Sequence, residues 1–264
     1  MNKEADTSAL LECAIAAARA GGGHALTHVR RRREVLKRLK HDVKLQLDVE
    51  SQEKAESVVL ARFPDHAVLG EEDPYEAGIP QSASGHLWII DPIDGTVNFS
   101  HGLPLWCCSV AVQRGGRVVA GAVYAPELNR LFTAAVGRPA LCNGEPIRVS
   151  ATETLAASIV CTGTNKNAEP DVPPFMFFER IAANVQRPRI TGCAALDICF
   201  VACGAADGYF ESGIYLWDVS AAGLLVQQAG GKAESLGFLD AKRLRFIATN
   251  GLIHEELKRT LAKP

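Results

Sequence analysis

The stretch 88–99 reads Trp-Ile-Ile-Asp-Pro-Ile-Asp-Gly-Thr-Val-Asn-Phe, an apolar run followed by two acidic residues. The apolar run predicts a buried strand. Asp91 follows it directly, Asp94 comes three residues later, and Pro92 restricts the backbone between them. A tight turn of this kind would aim both carboxylates and the carbonyl oxygen of Ile93 at one point, which predicts a cation site.

Gly95 and Thr96 follow the second carboxylate and extend the same candidate site. Glycine adopts unusual dihedral angles and lets the backbone approach a ligand closely. A helix that starts here would present free N–H groups to a phosphate. Clustered carboxylates beside a phosphate suit Mg²⁺, which binds carboxylates, water and substrate phosphates. The alternative is that Asp-Pro-Ile-Asp-Gly is only a turn, because these residue types are common in turns.

Two more acidic positions have similar surroundings. Glu71 lies just beyond the apolar segment 67–69, and Asp218 begins a predicted helix over 218–229. Polar groups at the ends of buried strands in layered α/β proteins converge on one crevice. Taken singly, the segment 71–73 is also compatible with a solvated loop, and Asp218 with a helix N-cap. Their joint occurrence favours one shared metal site.

The remaining pattern predicts a mixed α/β (α+β) fold. Helices are predicted over 8–19, 48–63, 175–185, 193–203, 218–229 and 254–261. Strands are predicted over 67–69, 87–90, 106–114, 117–125, 131–135, 158–161, 209–211 and 244–249. The glycines at 21–23 should end the first helix, and 165–174 should be a loop. No linker separates the halves, so we predict one compact unit, 1–264, with subdomains 1–149 and 150–264.

The composition is that of a folded globular protein. The chain has 264 residues, a formal net charge of −2 and 47% apolar residues, which excludes a disordered chain, a collagen and a disulfide-stabilised mini-protein. We expect a cytoplasmic protein with no membrane span, because no signal segment opens the chain and no stretch of about 18 apolar residues occurs. The eight cysteines should be buried free thiols. Cys199 and Cys203, four residues apart, are by themselves weak evidence for zinc.

The run 30–40 carries four consecutive arginines and three further basic residues. One interpretation is a patch that binds nucleic acid or phosphate. We favour the other, a solvated helix face with Val29, Leu36 and Leu39 packed beneath it.

Several blocks of the chain resemble the inositol monophosphatase family, in the order that the family has them. The stretch 88–99 resembles its first signature, and 216–223 with the continuation 229–231 resembles its second. The other blocks are 63–66 with 70–72, 141–147 and 192–197. The resemblance covers roughly residues 35–251. It implies a layered αβαβα sandwich, as in fructose-1,6-bisphosphatase, and Mg²⁺-dependent hydrolysis of phosphomonoesters.

The resemblance also implies a set of metal ligands at matching positions. Glu71, Asp91 and the carbonyl of Ile93 would hold one ion. Asp91, Asp94 and Asp218 would hold a second, and Glu71 could help a weaker third. Most of these ligands lie in the subdomain 1–149, and the cofactor is therefore expected to be two or three Mg²⁺ ions.

The resemblance implies catalytic and substrate-binding roles as well. Asp48 and Thr96 look like the pair that orients and activates the attacking water, and Glu71 is the third residue expected to be catalytic. Glu211 aligns with the carboxylate that contacts an inositol hydroxyl. The positions expected to contact the substrate are Gly95, Thr96, Gly192, Cys193, Ala194, Glu211 and Asp218. One departure concerns the residues before Asp48, where Leu45 replaces a threonine common in the family and puts the surroundings of Asp48 in question.

We therefore predict a Mg²⁺-dependent phosphomonoesterase for a small phosphorylated polyol or sugar, with inositol monophosphate as the leading substrate and a metal-activated water as nucleophile. Alternatives with the same chemistry are fructose 1,6-bisphosphate, histidinol phosphate and a 3′-phosphoadenylate nucleotide. A less favoured alternative is a regulatory nucleic-acid-binding module that uses the run 30–40. We expect a homodimer, no membrane partner and no nucleic-acid partner.

Overall fold

The computed structural model describes residues 3–38, 43–164, 173 and 175–262. Its α-helices are α1 (Lys3–Thr27), α2 (Gln46–Arg62), α3 (Thr96–His101), α4 (Met176–Ala182), α5 (Ala194–Ala202), α6 (Leu216–Gln228) and α7 (His254–Ala262). Its strands are β1 (Val35–Arg38), β2 (Val43–Leu45), β3 (Ala67–Gly70), β4 (His86–Asp94), β5 (Cys107–Arg114), β6 (Arg117–Ala125), β7 (Arg130–Ala135), β8 (Leu141–Cys142), β9 (Glu145–Pro146), β10 (Ile159–Thr162), β11 (Arg187–Arg189), β12 (Gly208–Tyr215), β13 (Lys232–Phe238) and β14 (Arg243–Thr249).

The larger sheet contains β3 to β9 in chain order. β3 and β4 are parallel, and the pairs that follow from β4 to β9 are antiparallel. Alternate residues of each strand face opposite sides, so the sheet buries both of its faces. Trp88 and Cys108 pack against α1 and α2, whereas Ile89 and Cys107 pack against α5 and α6.

The smaller sheet has the order β11-β10-β12-β14-β13, and it covers the other side of α5 and α6. Tyr209 and Phe246 face those two helices. Their strand neighbours Phe210 and Ile247 face α4 and α7 on the outside. The layers therefore run helix, sheet, helix, sheet, helix, which confirms the predicted αβαβα sandwich. The subdomain boundary near residue 150 stays a prediction.

The prediction that glycines at 21–23 end the first helix is wrong, because α1 continues through them to Thr27. A Cβ atom at Gly21 would lie 3.0 Å from the sulfur of Cys108 and 3.1 Å from the carbonyl oxygen of Ser51. A Cβ atom at Gly22 would lie 3.0 Å from the ring of Tyr124. These glycines let α1 approach α2 and the sheet, and that packing outweighs the helix propensity lost.

The prediction of a helix face over 30–40 is also wrong. Residues 35–38 form β1, which pairs antiparallel with β2, and only a short 3₁₀ turn precedes it. Arg31 forms ion pairs with Glu34 and Glu50, so part of the basic run is neutralised within the fold. Residues 39–42 lie outside the described residues, as does the loop predicted over 165–174 apart from residue 173.

None of the described helices is long and apolar enough to cross a membrane. All eight cysteines are free, as predicted. Six of them are buried, and Cys142 and Cys203 are half-buried.

Candidate metal centre and active site

The parallel pairing of β3 with β4 brings the first two acidic residues together. Gly70 pairs with Ile90, and the N–H of Glu71 donates to the carbonyl of Ile90 at 3.1 Å. Glu71, the residue after β3, therefore lies beside Asp91 of β4, at the same end of the two strands. This arrangement confirms the expectation that polar residues at the strand ends converge.

A bulge in β4 places the third carboxylate beside the second. Asp91 pairs with Ser109 and Asp94 pairs with Cys107, so the register shifts between the two acidic residues. A bulge bends a strand and re-aims its side chains. Both carboxylates are buried, with exposed fractions of 1% for Asp91 and 7% for Asp94.

The fourth carboxylate comes from the beginning of α6, which lies between the two sheets. Asp218 is the third residue of this helix, and its Oδ2 accepts the N–H of Tyr215 at 2.9 Å. One oxygen from each of Asp91, Asp94 and Asp218 lies within 4.8 Å of the other two. Asp218 therefore supports the helix start and also faces the candidate cation site, which the N-cap interpretation alone did not require.

The described residues that line the cleft do not balance the negative charge of the carboxylate cluster. Burial, followed by repulsion from neighbouring carboxylates, raises the pKa of Glu71, Asp91 and Asp218 well above the ordinary values. Burial raises the pKa of Asp94 to about 6, although the Cys193 thiol and backbone N–H groups oppose it. Among the described residues that line the cleft, none is lysine, arginine or histidine. Nearby charges of one sign favour either protonation or a bound cation.

The donor set fits a hard divalent ion. The Oδ1 atom of buried Asp91 has no hydrogen-bond partner among the described residues, so a lone pair in the middle of the cluster is available for a cation. Carboxylate oxygens and a backbone carbonyl are the ligands that Mg²⁺ prefers. The carbonyl of Ile93 already accepts the hydroxyl of Thr96 at 2.9 Å, and its second lone pair remains available.

We expect the metal-free protein to lose stability as pH rises from about 4 to beyond 6, because the folded carboxyls bind protons that the unfolded ones release. Bound Mg²⁺ would replace those protons, so the gain in Tm on adding Mg²⁺ should be larger at about pH 8 than at about pH 5. The measurement is thermal unfolding with EDTA or with Mg²⁺ at both pH values. Equal gains at both pH values would contradict a shared cation site.

Other titrating groups contribute to the pH dependence in both metal states. Burial raises the pKa of Asp197 to about 8, and hydrogen bonds from basic side chains lower the pKa of Glu50 and Glu234 to about 2. The diagnostic quantity is therefore the difference between the two metal states at each pH.

The two residues expected to activate water have different partners in the fold. The Oδ2 of buried Asp48 accepts the N–H of Leu45 at 2.7 Å. The single hydroxyl hydrogen of Thr96 is donated to Ile93. The side chain of Leu45 packs in an apolar cluster with Leu47 and Ile93, so the main chain, not a threonine hydroxyl, supports Asp48 here. The role of the pair stays a prediction, which requires the Thr96 hydroxyl to rotate.

Gly95 shapes the wall beside the carboxylates. It has a left-handed backbone with φ of 87°, and α3 begins at the next residue, Thr96. A Cβ atom at Gly95 would lie 2.9 Å from the carbonyl oxygen of Leu105 and 3.1 Å from the Cβ of Cys193. Only glycine fits this position without strain. Gly95 and Thr96 both line the cleft, as expected for residues that approach a phosphate.

The segment 192–194 lies against Gly95 and α3, and it also contacts a predicted metal ligand, Asp94. The N–H of Ala194 donates to Oδ1 of Asp94 at 3.3 Å, and the N–H of Ala195 donates to its Oδ2 at 2.6 Å. The thiol of Cys193 donates to the same Oδ2 at 3.1 Å. Two of the groups expected to face substrate are thus engaged with Asp94.

Glu211 projects from β12 into the same cleft. Tyr209 donates its hydroxyl to Oε2 of Glu211 at 2.8 Å. A Cβ atom at Gly163 would overlap the carboxylate, so that glycine makes room for it. The cleft has a volume of about 280 Å³, and an adjoining lobe of about 170 Å³ shares Gly192 with it. Glu211 and Asp218 border both lobes.

Gln52 was not singled out from the sequence, yet it positions the first carboxylate. Its Oε1 accepts the N–H of Glu72 at 2.9 Å, and its Nε2 donates to Asp73 at 2.9 Å. A Cβ atom at Gly70 would overlap the amide of Gln52. The loop carrying Glu71 is therefore held from α2. No local sequence signal indicates this contact, because about twenty residues separate the partners.

Comparison with known proteins agrees with the fold. The family model of the inositol monophosphatase family matches residues 6–263. A protein of Synechocystis sp. named inositol-1-monophosphatase is 38% identical, with 82% of this chain and 77% of that protein aligned. A Thermotoga maritima protein named fructose-1,6-bisphosphatase/inositol-1-monophosphatase is 37% identical over 82% of this chain and 81% of its own. The crystal structure of extragenic suppressor protein suhB from Bartonella henselae has a TM-score of 0.85 at 31% identity, covering 97% of this chain and 99% of that one.

Proposed function

The chain belongs to the inositol monophosphatase family and is a phosphatase, and from this premise we propose that its preferred substrate is inositol monophosphate. The observation that carries the proposal is a cleft with four carboxylates on its floor and a fifth, Glu211, on its wall. The floor suits metal-assisted hydrolysis of a phosphomonoester. The wall suits a leaving group that carries hydroxyls. The homodimer and the cytoplasmic location stay predictions.

The metal ligands that we propose are those that the family resemblance implies, and the carboxylate cluster in the cleft supports them. Glu71, Asp91 and the Ile93 carbonyl would hold one Mg²⁺, and Asp91, Asp94 and Asp218 would hold another, with Glu71 available to a weaker third. When bound, Mg²⁺ neutralises phosphate charge, lowers the pKa of its water and stabilises the leaving alkoxide. The carboxylates hold this charge at fixed positions because the bulge in β4 and the start of α6 constrain them.

The remaining groups orient the reactants. The N–H groups of Gly95 and Thr96 would bind phosphate oxygens at the start of α3. Asp48 would accept a proton through the hydroxyl of Thr96, which orients the attacking water. In-line attack needs this water on one side of phosphorus and the ester oxygen on the other. The leaving group would then lie toward Gly192 and Glu211, which both line the cleft.

Asn98 gives weaker support to the polyol assignment than the sequence suggested. Its side-chain amide donates to the carbonyl oxygens of Leu105 and Thr191, both at 2.8 Å. It therefore ties α3 to the segment before Gly192. The selection of the polyol rests on Glu211.

The proposal is tested by phosphate release from a panel of esters, with and without Mg²⁺. The panel contains inositol monophosphate, fructose 1,6-bisphosphate, histidinol phosphate, a 3′-phosphoadenylate nucleotide and an aryl phosphate. We expect Mg²⁺-dependent release, with the highest kcat/KM for inositol monophosphate. A higher kcat/KM for fructose 1,6-bisphosphate would replace the proposed substrate with the other one in the Thermotoga relative's name.

The same panel tests Glu211. A hydrogen bond from a substrate hydroxyl to a charged group contributes about 1.5–3 kcal/mol, so Glu211→Ala should lower kcat/KM for inositol monophosphate about 10–100-fold. Hydrolysis of the aryl phosphate, which offers no hydroxyl there, should scarcely change. Glu211→Gln keeps the size and an acceptor and should recover part of the loss. An equal loss on both esters would instead place Glu211 in the catalytic or folding apparatus.

A further inference from the structure

Two buried thiols lie against the far side of one predicted magnesium ligand. Cys107 is on β5 and Cys193 precedes the first residue of α5, and their sulfur atoms are 3.6 Å apart. Oδ2 of Asp94 is 3.1 Å from the sulfur of Cys193 and 3.9 Å from that of Cys107. The three side chains come from different elements, and all are buried.

These distances match the edges of a tetrahedral zinc site. Zn–S bonds of about 2.3 Å and Zn–O bonds of about 2.0 Å at tetrahedral angles give edges of about 3.8 Å for S–S and about 3.5 Å for S–O. The observed S–S edge of 3.6 Å differs by about 0.2 Å. The observed S–O edges of 3.1 and 3.9 Å each differ by about 0.4 Å. Small shifts of the side chains would therefore bring all three ligand atoms to bonding distance.

We propose that Cys107, Cys193 and Asp94 form a binding site for a thiophilic divalent cation, with Zn²⁺ as the ion, separate from the proposed magnesium ligands except for the shared Asp94. Thiolate ligands select Zn²⁺ over Mg²⁺, whereas the neighbouring all-oxygen cluster favours Mg²⁺. The second lobe of the cleft reaches Asp94 and Cys193, which provides a path for the ion. The fourth position of the tetrahedron is left for water.

The charge of the site does not change when zinc binds. Each thiol releases its proton to solvent as its Zn–S bond forms, so one dication replaces two protons. With the carboxylate ionised, the three side chains carry a charge of about −1 before zinc binds, and the ion together with two thiolates and the carboxylate carries about −1 afterwards. Binding therefore adds no net charge to the buried site, which limits the desolvation cost.

Zinc binding would compete with magnesium for the carboxylate of Asp94. Because Zn²⁺ would hold Oδ2 on the side of the thiols, that oxygen would no longer be available to the carboxylate cluster. We therefore expect Zn²⁺ to inhibit phosphate release, and this consequence rests on the proposed function. The binding itself does not depend on it.

The direct test uses Co²⁺ as a spectroscopic substitute for Zn²⁺ in the reduced, metal-stripped protein. We expect a cobalt–thiolate charge-transfer band that one equivalent of Zn²⁺ removes. Cys107→Ser should lose the band and bind Zn²⁺ at least about tenfold more weakly, since even ligand-orienting residues contribute about 10–100-fold to metal affinity. Cys193→Ser should do the same.

Cys108→Ser is the matched control. Cys108 is the next residue of β5, and its sulfur faces α1 near Gly21 on the opposite side of the sheet. This variant should keep the cobalt band. If thermal unfolding shows that Cys107→Ser is not folded, Cys107→Ala removes the same thiol and leaves an apolar side chain. Absence of the band in the wild type, or an unchanged band in a folded Cys107 variant, would overturn the proposal.

Inhibition provides a second measurement. Zn²⁺ should inhibit phosphate release reversibly at saturating Mg²⁺ in the wild type and in Cys108→Ser, and Cys107→Ser should be resistant. Inhibition that is equally strong in Cys107→Ser would place the inhibitory ion in the carboxylate cluster and overturn the role of the thiols. If no substrate releases phosphate, the proposed function fails, while the cobalt spectrum still decides the zinc site.

Discussion

Asp91→Asn is expected to abolish Mg²⁺-dependent phosphate release. Asp91 is the carboxylate that both proposed metal positions share, and it lies between Glu71 and Asp94 at the edge of the larger sheet. Metal-ion stabilisation of transition-state charge is worth several kcal/mol, so the loss in kcat/KM should be about 10³-fold or more. The measurements are phosphate release and Mg²⁺ affinity of the purified variant.

The same variant has an expected effect that does not depend on activity. In the metal-free protein, Asp91→Asn removes one charge from a buried cluster whose members repel each other. We therefore expect the metal-free variant to have a higher Tm than the metal-free wild type, while its gain on adding Mg²⁺ becomes smaller. Asp65→Asn makes the same chemical change in an exposed turn and should alter neither quantity. Near wild-type turnover by folded Asp91→Asn would refute the metal assignment.

Asp48→Asn and Thr96→Ala are expected to lower kcat far more than they change KM. Both residues would act on the attacking water, and neither side chain is proposed to bind the phosphate. Positioned proton transfer contributes about 10²–10⁴-fold, so each single variant should lose activity in this range. The double variant should lose less than the product of the single losses, because the two residues act as one unit.

The controls for this pair lie on the same two helices. Glu53→Gln removes an exposed charge from α2, and Ser100→Ala removes an exposed hydroxyl that donates to Val97 within α3. Neither should change kcat. Independent, multiplicative losses in the double variant would contradict a coupled pair. A loss of Tm without a fall in kcat would assign Asp48 a structural role, namely support of the backbone at Leu45.

The sequence predicted the candidate site best where the signal is local. Asp91 and Asp94 lie within four residues, and the turn chemistry of Pro92 and Gly95 restricts the backbone that joins them. The β-strand before them is a continuous apolar run, which a strand buried on both faces requires. The folded protein keeps this local conformation because it depends on residues that are adjacent in the chain.

The wrong secondary-structure predictions concern positions where a contact with a distant part of the chain overrides the local preference. Glycine lowers helix propensity, yet Gly21 and Gly22 lie inside α1 because larger side chains would collide with the sheet and α2. The apolar residues in and beside the basic run 30–40 were interpreted as one side of a helix, yet residues 35–38 form a strand that pairs with β2. In both cases, contacts with residues far along the chain decide the conformation, and no short window contains them.

The sequence by itself determined the acidic turn, the apolar strand that carries it and the resemblance that indicated a phosphatase, because the turn, the strand and each block of the resemblance depend on residues close together in the chain. Only the tertiary structure decided that Asp218 lies beside Asp91, and that Cys193 contacts Cys107 across 86 residues. The physical reason is that such distances follow from how α5 and α6 pack between two sheets. That packing depends on the side chains of both sheets at once, so the local pattern around a single residue cannot specify its distant partner.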